Sequence, residues 1–305
     1  MSGRGQGRPW RGRSVGARRE QRLAWLLCSP AVLVMLGVAA YPVGYAVYLS
    51  LQRYDLRFPK LAHFVGFGNY AAVLSSPFWW QALSVTVVLT VVSVAVELVL
   101  GILLALVMYR TVLGRDAVRT LVLIPYGIVT VVAAFSWQYA WTPGTGYLAN
   151  LLPSGSAPLT HHWQSLGLIV LAEVWKTTPF VALLLLTGLA LVPEDLLRAA
   201  LVDGASAWQR FVMITLPLMK PAIVVALLFR TLDAFRIFDN IYVLTSGANG
   251  TSSVSILGYD NLFTALNLGI GAAISVLVFL CVALITSLSL ALFGGVAPGT
   301  EGSRR

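Results

Sequence analysis

Ionisable side chains interrupt the apolar stretches of this 305-residue chain: Glu97, Glu173, Lys176, Arg230, Asp233, Arg236 and Asp239, with Asn240 beside the last. A charge at the centre of a bilayer costs about 2.5–3.5 kcal/mol on insertion scales, so a chain that keeps several has a use for them. Carboxylates accept hydrogen bonds from hydroxyls; Arg and Lys donate to them. Glu173, Lys176 and Thr177 share one segment with Trp175 and Phe180, and Arg230 and Asp233 share another. Paired donors and acceptors beside a ring surface are what a polyhydroxylated ligand requires. A plainer use competes. Arg230, Asp233, Arg236 and Asp239 alternate in sign at steps of three, and Glu173 and Lys176 stand three apart. Each could be neutralised by a neighbour on its own helix and serve packing alone. Glu97 has no such neighbour and must find a positive charge elsewhere in the bundle or in a partner.

Motifs for covalent chemistry are absent. No G-x-x-x-x-G-K-[ST] phosphate loop occurs, and Gly144-x-Gly146 lacks both a third glycine and a preceding strand. There is no G-x-S-x-G elbow and no S-x-x-K. Cys28 and Cys281 lie inside apolar stretches, and His63, His161 and His162 lack metal-ligand spacing. No catalytic residue and no metal site is expected. Energy for any uphill process must come from another chain or an ion gradient.

The elements that carry these charges are membrane spans. The chain is 58% hydrophobic and 11% charged, where soluble domains carry about 25% charged residues. Six apolar runs are predicted to span: 23–48, 82–108, 120–141, 167–192, 221–245 and 271–295. Each exceeds the roughly 20 residues a helix needs to cross about 30 Å of hydrocarbon. None alternates like a barrel strand, so the spans are helical. Fifteen Lys and Arg flank the spans on one side and only Arg53, Arg57 and Lys60 on the other. That bias places both termini, and the loop 193–221, in the cytoplasm. The expected division is a basic disordered arm (1–22), a six-span domain (23–295) and a short tail (296–305). Attraction to anionic lipid accounts for the net charge of +9 without nucleic acid.

The loop from Pro193 to Pro221 is the other informative region. Pro193 suits a helix start, and Glu194 and Asp195 suit its positive end. Leu196, Leu197, Ala200 and Leu201 form an apolar stripe. Gly204 can take the left-handed conformation that ends such a helix. Ser206 with Gln209 three residues on makes a capping box for a second helix, edged by Trp208, Phe211 and Val212. Pro217 and Pro221 stop or bend it. Such a pair either lies in the lipid headgroups or docks a soluble partner.

The loop resembles the EAA loop of binding-protein-dependent ABC permeases, a pattern of E-A-A, then D-G-A, then I-x-L-P and a further proline. Here it reads Arg198-Ala199-Ala200, Asp203-Gly204-Ala205, Ile214-Thr215-Leu216-Pro217 and Pro221. Arg198 stands where the pattern has Glu. Phe64 to Tyr70, Pro77 to Trp80, Trp175 with Pro179-Phe180, and Leu244 to Gly247 resemble the sugar-type members. The resemblance implies an all-α, six-helix, type I importer permease with a cytoplasmic coupling-helix loop. It implies ATPase-coupling roles for Arg198, Ala199, Ala200, Asp203, Gly204, Ala205, Trp208, Phe211 and Pro217. It places Glu173, Lys176, Thr177, Phe180, Arg230 and Asp233 near sugar. It further implies a second permease subunit, a pair of ATPase subunits that carry ATP and Mg, and a solute-binding lipoprotein, with no cofactor in this chain. The implied cargo is trehalose, with another oligosaccharide or a glycerol phosphate as alternatives.

Two other classes compete. An ion-coupled carrier would show inverted repeats and broken helices at mid-membrane; no repeat is visible in the sequence. A membrane enzyme built on Glu97, Glu173 or Asp233 would need a nucleophile–base pair, and none is apparent.

Overall fold

A computed structural model describes residues 15–111, 114–153 and 156–293. The chain divides into two units, one ending at Tyr48 and the other starting at Leu49. The first unit is carried by α1 (Val15–Ser50), which holds Pro30 and Pro42. Its apolar side chains, Leu33 to Leu36 among them, are exposed, as a lipid-facing span requires. The helix takes in residues 15–22, which the sequence assigned to the arm; residues 1–14 and the 296–305 tail lie outside the described residues.

The second unit opens with a two-stranded ribbon, β1 (Gln52–Arg53) against β2 (His63–Phe64), then α2 (Gly68–Ser75). The ribbon is fastened to the start of the last helix: Leu56 N–H donates to Leu266 O at 2.9 Å, and Gly269 N–H to Tyr54 O at 3.1 Å. Within it the Arg57 guanidinium and backbone N–H both donate to Asp55, holding that carboxyl at about 2. One of the three basic residues on the sparsely charged side is thereby neutralised on the spot.

Three long helices of this unit run close to expectation: α3 (Pro77–Arg110), α6 (His162–Ala190) and α12 (Leu268–Phe293). α3 lies along α6, and Gly101 sets their separation. A Cβ there would fall 2.7 Å from Val181 Cγ1. Small residues are what allow helix backbones to approach in lipid. Ala105, Met108, Leu185 and Met219 fill the core beneath this crossing.

The other two predicted spans are not continuous. Among the described residues four helices, α1 included, are long and apolar enough to cross alone, and up to six spans result if each of two bent pairs, 116–127 with 130–140 and 207–218 with 220–234, counts as one. The third span is α4 (Arg115–Gly127) and α5 (Thr130–Ala140), bent by 84°. Pro125 and Gly127 end α4, and Ile128 and Val129 are extended. The fifth is α9 (Lys220–Ala234), which stops before Phe235; a tight turn leads to α10 (Asp239–Leu244). Before it lie α7 (Glu194–Val202) and α8 (Ala207–Leu218), and α8 meets α9 at 67°. α11 (Val254–Tyr259) precedes α12.

Candidate functional site

Glu97 on α3, Glu173 on α6 and Arg230 on α9 converge inside the bundle. The Arg230 guanidinium donates to both oxygens of Glu97, at 2.5 and 2.8 Å, and to Glu173 Oε1 at 3.1 Å. It also bonds Asp233, one turn further along α9. Glu97 accepts a further bond from the Thr177 hydroxyl at 2.7 Å, and Glu173 from Asn240 Nδ2 at 2.5 Å. Arg230 is 2% exposed and Glu97 fully buried. A buried guanidinium with most of its donors occupied by carboxylates is a stable arrangement; either partner alone would not be.

This corrects the reading in which each charge is neutralised on its own helix. Only Arg230–Asp233 pairs that way. Among the described residues Glu173 makes no ion pair with Lys176. The Lys176 ammonium instead donates to the backbone carbonyls of Ile128 at 2.8 Å and Tyr126 at 3.4 Å, and stands 5.7 Å from the centre of the Tyr126 ring. Those carbonyls lie at the break between α4 and α5, where the helix ladder ends and the last carbonyls need partners from outside it. Arg236 and Asp239, expected to continue the ladder, lie on the turn beyond α9 and at the start of α10. Glu97, the charge without a local partner, pairs with a positive charge in the bundle.

Both helix breaks open on one cavity of about 570 Å³. Glu173, Lys176, Thr177 and Asp233 line it, four of the six residues expected near the ligand. Asp233 is the open one, with 71% of its side chain accessible. Phe180 is not in the wall but stacks on Tyr126, which is, at 5.3 Å between ring centres. Arg230 lies behind the wall. The sequence reading did not name Tyr126, Ile128 or Phe238 as lining residues. Pro125-Tyr126-Gly127 in mid-span was the available signal for the first two. Nothing local marks Phe238. The volume falls within the range of about 300–1,000 Å³ that ligand pockets occupy. Carboxylates, an ammonium, a hydroxyl and an amide around two aromatic faces can pair many hydroxyls at once. Among the described residues no cluster of metal-ligating side chains occurs.

The loop forms as local chemistry dictates. α7 ends at Asp203, and Gly204 takes φ +82°. Ser206 Oγ accepts from Gln209 N–H at 3.2 Å while Gln209 Oε1 accepts from Ser206 N–H at 2.7 Å, a complete capping box. Pro193 is the residue before the helix, not its first turn. Arg198 bonds Glu194 at 2.8 Å, one turn earlier on the exposed face of α7. Leu201, Val202, Trp208 and Met213 are exposed. Ala199 and Asp203 are exposed and Ala200 and Ala205 half-buried, and Phe211 tilts against Trp208 at 5.8 Å. Pro217 lies in the last turn of α8, just before its bend into α9.

Comparison with known proteins agrees with this geometry. Residues 97–300 match the family model for the binding-protein-dependent transport system inner membrane component. The trehalose transport system permease protein SugA of Mycobacterium tuberculosis (strain ATCC 25618 / H37Rv) is 66% identical over 286 residues, covering 94% of this chain and 93% of that one. The trehalose/maltose transport system permease protein MalF of Thermococcus litoralis is 42% identical, covering 87% and 91%. A chain of a crystallised bacterial alginate ABC transporter, in complex with an alginate pentasaccharide-bound periplasmic protein, superposes with a TM-score of 0.78 over 92% of this chain and 96% of that chain, at 22% identity. The fold is thus that of the permeases of type I ABC importers, and the chain belongs to the family of inner-membrane components of binding-protein-dependent transport systems.

Proposed function

We propose that this chain is the permease through which trehalose crosses the membrane, in an importer energised by separate ATPase subunits. The observation that carries the reading is the cavity at the two helix breaks, with Glu173, Lys176, Thr177 and Asp233 in its wall and Tyr126 and Phe238 as its ring faces. A disaccharide offers many hydroxyls and few apolar edges, and this wall answers both. Arg230 acts from behind, fixing Glu173 and Asp233 in place. Phe180 does the same for Tyr126. The trehalose named for the 66% relative supports the cargo.

The loop 193–221 is the handle that the ATPases move. Its exposed Leu201, Val202 and Trp208 give a helix-in-groove partner something to grip. The partners are a second permease of the SugB kind, a SugC-like ATPase pair holding ATP and Mg, and an LpqY-like solute-binding lipoprotein. Both termini are cytoplasmic, and the chain itself makes and breaks no covalent bond.

The test is uptake of labelled trehalose by vesicles holding the full complex. Uptake should require ATP and ignore ionophores. Glu173→Gln and Asp233→Asn should each lower it ten- to a hundredfold, since a hydrogen bond to a charged group contributes about 1.5–3 kcal/mol. Unchanged uptake in both variants would remove the cavity from the pathway.

A further inference from the structure

A second site lies where the loop meets the end of α3. A pocket of about 330 Å³ there is walled by Arg110, Arg198 and Arg210, with Glu194 the only carboxylate in the wall. Glu194 is already bonded to Arg198. Arg210 Nη1 is buried and has no hydrogen-bond partner among the described residues. A guanidinium nitrogen shut away from water and left unpaired is costly unless something anionic reaches it.

The pocket does not end at the arginines. It shares Leu106, Arg110, Ala207 and Phe211 with an apolar groove of about 510 Å³. That groove runs back along α3, a membrane span, past Leu103 and Val99, away from the charged end. Leu103 and Val99 are 54% and 59% exposed. Trp208 is among the residues that line the groove.

We propose that this composite site holds an anionic phospholipid, with its phosphate between Arg110 and Arg210 and an acyl chain in the groove beside Val99 and Leu103. Charge and shape point to the same occupant. The polar end carries two guanidiniums in excess over carboxylate, and only a chain-bearing ligand uses both halves. Basic pockets at the ends of membrane helices favour anionic headgroups in this way. The lipid would brace α8 against α3, so the loop would be held by membrane composition as well as by protein contacts.

Native mass spectrometry of the purified full complex tests this, with dioleoyl phosphatidylglycerol, dioleoyl phosphatidylcholine and inorganic phosphate as probes. Phosphatidylglycerol should bind one per chain, ahead of phosphatidylcholine. Arg110→Gln and Arg210→Gln should each weaken it about fivefold. Leu103→Trp, at an exposed position where folding is not at stake, should lower its retention and leave phosphate binding untouched. Equal retention of the two lipids would overturn the proposal. So would phosphate binding as tight as the lipid's and indifferent to Leu103→Trp, which would mark a free-anion site. So would loss of the lipid as the ATPase subunits associate, which would give the groove to a protein.

Discussion

Arg230 is the residue on which the bundle's interior turns. It joins α3, α6 and α9 through Glu97, Glu173 and Asp233. Arg230→Met would leave Glu97 and Glu173 buried without their cation. Removing one partner of such a cluster destabilises by about 3–5 kcal/mol. The expected outcome is a large loss of folded permease, read as detergent-solubilised protein surviving a thermal ramp. Adding Glu97→Gln should restore part of it, because the remaining buried charge is then smaller. If the double variant is no better than the single, Arg230 is held by something other than these carboxylates. The sequence shows each of these charges but not their pairing. Steps of three along one helix suggest Asp233, whereas the buried partners of Arg230, Glu97 and Glu173, are 133 and 57 positions away. In a membrane span a lone Glu97 is itself the clue that a cation must come from another helix.

At the scale of elements, the loop and the broken spans differ in how far they could be read. Gly204 and the Ser206–Gln209 box were legible because caps and left-handed turns are set by residues three or four apart. Ser206→Ala should cost the second helix about 0.5–2 kcal/mol. ATP-driven uptake should fall while the amount of inserted protein stays constant; an unchanged rate would mean that α8 is held by packing alone. Gly204→Asp is expected to abolish uptake outright with insertion intact, since it adds both a charge and a Cβ at φ +82°. ATPase subunits that still co-purify normally with that variant would count against docking at this loop. The breaks were harder. Pro125 and Gly127 are there in the sequence, yet the unbroken apolar run hides them. Phe235-Arg236-Ile237-Phe238 contains neither Pro nor Gly, and its turn is fixed by tertiary bonds such as Ser253 Oγ to Ile237 O at 3.1 Å. Broken helices were also the feature reserved for an ion-coupled carrier. Their presence in a chain of this family means that broken helices alone do not mark an ion-coupled carrier.

Taken whole, the second unit holds its walls together by two different devices. α3 and α6 are locked by the close approach at Gly101 and by the charge cluster. Gly101→Leu should force them apart at a cost of about 1–3 kcal/mol or more, because well-packed cores resist added volume. The effect should appear as reduced thermal survival of the assembled complex, with no change in how the chain inserts. The other wall, α4 and α5, is tied to α6 by a different device. Its polar links include the Lys176 ammonium, resting on the carbonyls of Tyr126 and Ile128 at the hinge, and Gln138 Nε2, which donates to Val243 O on α10 at 2.6 Å. An ammonium has three donors and no fixed preference among oxygens. Any guest hydroxyl that draws Lys176 toward itself draws it from that hinge. The chamber's occupant and the α4–α5 corner thus draw on one ammonium, while Gln138 keeps α5 on α10 whichever of them holds it.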